Sequence, residues 1–265
     1  MQNSNDNQLT FGEHLELLRR MLFRIIGVTT IFAVFIFIMK DFAWRIILAP
    51  SDCNFVTYRF IEKITQWIGF DFQFNDYVVD LIATELSSQF MTHITTSIYL
   101  GFLIVSPYIL YELFRFVVPA LNKDERKYSR LIVVIIFTLF IVGVLMSYFV
   151  IFPISFRFLG TYSVAEKVNT MITLSSYISS FISLTLVMGC VFQLPIIIYI
   201  LAKMEIINAH LLSKYRKYVF FIITVISAII TPPDVMTCIL VTIPLYALYE
   251  FSIWIVKGVN KNEKC

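Results

Sequence analysis

The stretch "LIVVIIFTLFIVGVLMSYFVIFPISF", from Leu131 to Phe156, is 26 residues long and contains no charged side chain. A helix of about 20 predominantly apolar residues is long enough to cross a bilayer. The whole chain has this character, since 58% of its 265 residues are hydrophobic and only 15% are charged. Its mean hydropathy is +0.80. Soluble globular proteins have far more polar compositions, so the sequence predicts an all-α membrane protein.

Similar uncharged runs predict six transmembrane helices. The fifth and sixth are expected to be short, because their runs have only 14 and 15 residues. The run 168–202 is too long for one span, so we expect a helix from about Leu174 with a break near Pro195. The predicted spans are 21–40, 94–118, 131–156, 174–202, 218–231 and 235–256, in one domain covering 1–265 with an outer cap segment at 40–93.

The distribution of positive charge predicts the orientation of these spans. With six spans, one side of the membrane holds both termini and 15 of the 21 Lys and Arg residues. Because Lys and Arg accumulate in cytoplasmic loops, both termini are expected on the cytoplasmic, matrix or stromal side. The polar first twenty residues predict no cleavable signal peptide. The net charge of +3 is small and scattered, so no nucleic-acid partner is expected.

The outer segment contains a candidate amphipathic helix in "RFIEKITQWIGFDF". Its apolar residues recur at helical spacing, which predicts a helix lying on the outer surface or capping the bundle. Packing against the bundle is the expected role of this face, and partner binding is the alternative. The face comprises Phe60, Ile61, Ile64, Trp67 and Ile68.

Charge is concentrated between the second and third predicted spans, in "VVPALNKDERKYSR" from Val117 to Arg130. Asn122 and Glu125 have the spacing of a capping box for the third helix, and Thr10 and Glu13 repeat that pattern before the first. Helix capping accounts for Glu125 without excluding a binding role as well.

Three motifs resemble those of one membrane protein family. "EHLELLRRML" is similar to that family's "HLxELRxRL", and "SPYILYELFRFVVPALNKDER" to its signature between the second span and the following loop. "TPPDV" followed by "IPLYALYE" resembles its last hairpin. Together they resemble TatC, the multispanning receptor of the twin-arginine protein translocase, from about His14 to Glu250.

The resemblance implies that the protein recognises twin-arginine signal peptides of folded cargo proteins. It also implies assembly with single-span partners similar to TatA and TatB, a homo-oligomer within that complex, and transport driven by the proton gradient. A guanidinium donates to a carboxylate through a planar fork of N–H groups, so acidic residues are required near the inner membrane surface. The implied signal-peptide-binding residues are Glu125, Glu16, Phe116, Pro119 and Arg19.

The N-terminal motif departs from the family pattern at the position of the expected glutamate. When His14 is aligned with the family histidine, Leu17 occupies the place of the expected glutamate, and Glu16 stands one residue earlier. One residue rotates a helical side chain by about 100°. Either Glu16 reaches the arginines from this position or the site relies on Glu125 alone.

Three polar residues within or between the later spans are candidates for partner-helix contacts. Gln193 replaces a glutamate of the family and is expected either to hydrate a groove or to hydrogen-bond between helices. Thr231 matches part of a polar patch, although Cys238 stands where a glutamine is expected. Asp234 is expected to cap the last helix or to bind a partner.

Two alternatives to a translocase receptor remain, a secondary transporter of a small solute and a scaffold for membrane assembly. Transporters usually contain internal repeats with matching broken helices, and none is visible here. No enzymatic activity and no cofactor are expected. The histidines and cysteines lack metal-ligand spacing, so no metal is expected either. The abundance of Phe, Ile and Tyr favours an organelle-encoded protein of the mitochondrial inner membrane over a bacterial plasma membrane or a thylakoid membrane.

Overall fold

The computed structural model describes residues 11–68, 81–117, 129–162, 170–204, 206–231 and 234–262. Almost all of these residues are helical. The helices are α1 (Phe11–Ile38), α2 (Lys40–Leu48), α3 (Val56–Ile68), α4 (Ser88–Val117), α5 (Ser129–Met146), α6 (Phe152–Thr161), α7 (Leu174–Val191), α8 (Leu194–Lys203), α9 (Ala209–Lys214), α10 (Arg216–Ile230) and α11 (Val235–Asn262). Two two-residue strands, β1 (Leu81–Ile82) and β2 (Ile172–Thr173), pair in parallel.

Five helical stretches in the described parts of the chain are long and apolar enough to cross a membrane. They are Leu15–Ile38, Ser88–Arg115, Ile132–Thr161, Leu174–Lys203 and Val235–Gly258. Helix α10 has only 15 residues, which corresponds to a length of about 22 Å. The hydrocarbon core of a bilayer is about 30 Å thick, so α10 falls short of a full crossing, as its short uncharged run predicted.

The expectation of a short sixth helix is wrong. Helix α11 has 28 residues and continues well beyond Tyr249, where the uncharged run ends. Glu250 lies within this helix, and its carboxylate is paired: Arg216 Nη2 lies 2.8 Å from Glu250 Oε2, and the Tyr246 hydroxyl donates to Oε1 at 3.0 Å. Length estimated from uncharged residues alone therefore underestimated this helix.

The chain divides into two compact units, of which the first contains Met1–Ala43 and Ile94–Phe137. Within it, α1 and α4 pack with their backbones close together. A Cβ atom added at Gly101 would lie 2.7 Å from the backbone nitrogen of Ala33, so only glycine fits at this crossing. Small residues that permit close backbone approach are typical of helix packing in membranes.

The second unit contains Trp44–His93 and Thr138–Cys265. The part of α5 that lies in this unit continues through a π-helical turn, Ser147–Ile151, into α6. Pro153 has no N–H group, which leaves the carbonyl of Phe149, four residues earlier, available to another donor. The hydroxyl of Thr57 on α3 donates to that carbonyl, and the Tyr58 hydroxyl lies 3.0 Å from the carbonyl oxygen of Pro153. The proline thus helps to hold the outer segment in place.

Helices α7 and α8 are separated by Phe192 and Gln193, so the break predicted near Pro195 is present. Helix α7 packs closely on α5 through two glycines. A Cβ added at Gly143 would lie 2.6 Å from the carbonyl oxygen of Met188, and one added at Gly189 would lie 2.7 Å from the Phe140 ring.

The predicted packing of the amphipathic outer helix is wrong for three of the residues on its apolar face. Helix α3 forms as predicted, but the exposed fractions are 63% for Phe60, 41% for Ile64 and 89% for Trp67. The inner side of α3 is formed instead by Tyr58, which is buried. The sequence pattern identified an apolar face but not the side on which neighbouring elements lie.

Candidate functional site

The predicted signal-peptide-binding residues are only partly within the described chain. Glu125, Pro119 and the capping residue Asn122 lie outside the described residues. Phe116 belongs to the last turn of α4, and its side chain is also outside that description. Phe116 follows Glu112 by four residues, one turn of α4.

The two predicted residues on α1 are exposed. Glu16 accepts a hydrogen bond from Arg20, four residues later, and the side chains of this pair are 50% and 64% exposed. Such an exposed pair contributes only about 0.3–0.5 kcal/mol, so the Glu16 carboxylate can exchange partners at little cost. Arg19 and Leu17 are exposed as well, so α1 presents positions 16 and 17 to its surroundings alike.

A buried carboxylate that sequence reasoning missed lies on α4. Glu112 is only 7% exposed. The hydroxyl of Tyr108, one turn earlier on the same helix, donates to Glu112 Oε1 at 3.1 Å. Arg24 on α1 places its Nη1 atom 3.9 Å from the same oxygen. The feature of the sequence that could have indicated Glu112 is its position as a single acidic residue directly after the uncharged run that ends at Tyr111.

The close crossing of α1 and α4 explains why Arg24 and Glu112 meet. Arg24 precedes Ala33 by nine residues, and Glu112 follows Gly101 by eleven. In two antiparallel helices, residues at similar distances before and after the crossing come together. The arrangement is therefore a product of the Gly101 contact.

The three predicted polar residues of the second unit make local hydrogen bonds. Gln193 Nε2 donates to the carbonyl of Gly189 at 3.4 Å, and the buried Thr231 hydroxyl donates to the carbonyl of Ser227 at 2.9 Å. Asp234 Oδ1 accepts from the Thr237 backbone N–H at 2.6 Å, which confirms the predicted cap of α11.

Cys238 occupies the position where a glutamine was expected. Its sulfur lies 4.0 Å from the carbonyl oxygen of Thr224 on α10. This weak contact joins the two helices of the last hairpin, so a small thiol fills the space between α10 and α11.

Comparison with known proteins identifies the family. The family described as "Sec-independent protein translocase protein (TatC)" matches residues 13–244. The chain belongs to the TatC family. The family predicted from the three sequence motifs is thus confirmed.

TatC proteins of known sequence match along nearly the whole chain. The protein from Blattabacterium sp. subsp. Periplaneta americana is 36% identical over 261 residues, covering 97% of this chain and 98% of that relative. The protein from Escherichia coli (strain K12) is 30% identical over 263 residues, covering 97% and 93%. Both are named "Sec-independent protein translocase protein TatC".

A solved TatC structure has the same fold. The crystal structure of the "Twin Arginine Translocase Receptor- TatC" superposes with a TM-score of 0.73 at 32% identity, covering 94% of this chain and 100% of that one. The protein is therefore an integral, multi-pass membrane protein and a subunit of a Sec-independent protein translocase.

Proposed function

We propose that this TatC protein recognises twin-arginine signal peptides through Glu125 and Glu16 at the inner membrane surface. The observation that carries the proposal is the family match over 13–244, which spans both residues. Arg19 follows Glu16 by three residues on α1, Phe116 lies in the last turn of α4, and Pro119 and Glu125 follow Phe116 in sequence. These three residues complete the proposed surface for the signal peptide.

The exposure of Glu16 supports this role physically. In the structure, Glu16 pairs with the guanidinium group of Arg20, whose side chain is exposed. An arginine of the signal peptide can replace it without leaving a buried charge unpaired. Two carboxylates that each accept a planar guanidinium would favour arginine over lysine, because an ammonium group cannot make the bidentate contact.

We further propose six spans, with α10 as a short fifth one and both termini on the cytoplasmic side. The distribution of Lys and Arg supports this orientation. Water or a locally thinned bilayer would accommodate the shortness of α10. The relatives named above are bacterial, and they favour a bacterial plasma membrane over the mitochondrial inner membrane predicted from composition.

Single-span partners similar to TatA and TatB are proposed to dock on the second unit, around Gln193, Thr231 and Asp234. Gln193 is half-buried at the break between α7 and α8, where an amide can hydrogen-bond a neighbouring helix. Several copies of the chain would assemble with these partners, and the proton gradient would drive transport of the folded cargo.

The test is site-specific photo-crosslinking with full-length protein in membranes. A photoreactive amino acid replaces Asp124 in one variant and Leu17 in another, and a third variant carries it at Asp41 on α2 as a control. A twin-arginine signal peptide is expected to label the first two positions and not the third. A twin-lysine peptide should label them about tenfold less. Equal labelling by both peptides contradicts the proposal.

Two substitutions then test whether Glu125 and Glu16 each bind the signal peptide. Glu125→Gln and Glu16→Gln should each reduce labelling by the twin-arginine peptide. The exchange Glu16→Leu with Leu17→Glu tests the register of α1. If position 17 is the better one, as the family pattern indicates, labelling increases; if Glu16 is already well placed, it decreases.

A further inference from the structure

The pairing of Glu112 with Arg24 is incomplete. The distance of 3.9 Å between Arg24 Nη1 and Glu112 Oε1 is longer than the 2.7–2.9 Å or so of a charge-assisted hydrogen bond. The two side chains also differ in environment, since that of Glu112 is 9% exposed and that of Arg24 is 58% exposed. Among the described residues, Glu112 has thus lost water without gaining a cation at hydrogen-bond distance.

A buried carboxylate that lacks a cation at hydrogen-bond distance favours binding of a group that can come closer. Taking a charge out of water is costly unless hydrogen bonds replace those of the solvent. The Tyr108 hydroxyl supplies one such bond and orients the carboxylate. A second guanidinium that approached within hydrogen-bond distance would supply one or two more.

Glu112 also lies next to the proposed signal-peptide surface. Phe116 follows Glu112 by one turn on α4, about 6 Å along the axis. Glu16 precedes Arg24 by eight residues on α1, about 12 Å along the axis. The Arg24–Glu112 pair therefore lies just beyond that surface, towards the middle of the two helices.

We infer that Glu112 is a further guanidinium-binding carboxylate, occupied at rest by Arg24 and taken over by an arginine of the signal peptide. Arg24 then acts as an internal competitor that lowers the affinity for signal peptides. This inference rests on the proposed function and adds a third acidic residue to the recognition surface. The exposed arm of Arg24 lets it withdraw into the headgroup region when it is displaced.

If Arg24 competes with the signal peptide for Glu112, substitutions of Arg24 and of Glu112 should change the peptide affinity in opposite directions. Binding of a fluorescent twin-arginine peptide is measured on purified full-length protein in lipid nanodiscs. Arg24→Gln removes the competitor and is expected to tighten binding about three- to tenfold, whereas Glu112→Gln is expected to weaken it about tenfold. The double variant should bind like Glu112→Gln alone. Arg45→Gln, which changes an exposed arginine of α2, should bind like the unmodified protein.

A purely structural ion pair gives a different pattern. Arg24→Gln would then weaken binding or leave it unchanged, and either result overturns the inference. Arg24 is exposed, so this variant can be judged even if Glu112→Gln does not fold. Failure of the proposed function is separate: it would appear as equal affinity for twin-arginine and twin-lysine peptides in the unmodified protein. The unmodified protein can instead prefer the twin-arginine peptide and lose this preference in Glu125→Gln. If Glu112→Gln then keeps the preference, only the inference about Glu112 fails.

Discussion

Replacing Gly143 with alanine tests whether the close packing of α5 on α7 holds the second unit together. The added Cβ would lie 2.6 Å from the carbonyl oxygen of Met188 and 2.9 Å from two atoms of Phe192. An ordinary contact needs a separation of about 3.4 Å, so the two helices must move apart by several tenths of an ångström. Packed helices resist such a shift because their interface is dense.

The expected cost follows from two opposing effects. Overpacking a well-packed interface costs about 1–3 kcal/mol, whereas replacing glycine by alanine within a helix stabilises it by about 0.5–1 kcal/mol. The net loss for Gly143→Ala is therefore about 1–2 kcal/mol. For a chain of this size that corresponds to a fall in unfolding temperature of about 2–8 °C.

Two other glycines serve as matched controls for Gly143. A Cβ at Gly189 would meet the Phe140 ring at 2.7 Å, and a ring edge yields more easily than backbone, so Gly189→Ala should cost less. Gly27 on α1 has nothing within 4 Å of its added Cβ, and Gly27→Ala should be neutral or slightly stabilising.

Thermal unfolding of the purified protein in detergent, followed by circular dichroism, ranks the three variants. The predicted order of stability is Gly27→Ala, then Gly189→Ala, then Gly143→Ala. If Gly143→Ala unfolds at the same temperature as Gly27→Ala, the close approach of α5 and α7 does not exist as described.

Two further predictions concern hydrogen bonds outside the spans. Asp234→Ala removes the cap of α11 and should cost about 1 kcal/mol of unfolding free energy, whereas Asp234→Asn keeps an acceptor and should cost little; equal losses would contradict the cap. Tyr58→Phe removes the donor shared by the carbonyls of Pro50 and Pro153 and should cost about 1–3 kcal/mol. Burial raises the pKa of Tyr58 above its ordinary value of 10.0, so the folded protein keeps a proton that the unfolded chain loses. Stability should therefore fall as the pH rises above about 10, and the fall should be smaller in Tyr58→Phe; an unchanged pH dependence would argue against the buried phenol.

The class and family of the protein could be predicted from local sequence. Hydrocarbon tolerates few charges, so an uncharged run such as 131–156 indicates a membrane helix without knowledge of its neighbours. Turn and break positions were equally local: Pro195 interrupts a helix because it lacks an N–H group, and Asp234 caps α11 through a residue three positions later.

Tertiary structure decided what depends on partners distant in sequence. Glu250, within helix α11, pairs with Arg216, 34 residues earlier. The outer helix turns Trp67 away from its neighbours and Tyr58 towards Pro153, which its own periodicity could not indicate. Glu112 acquired its buried position and its loose pairing with Arg24 only because Gly101 lets α1 and α4 approach. Apolar length is a property of a segment, whereas the burial and pairing of a charge are properties of the packed chain.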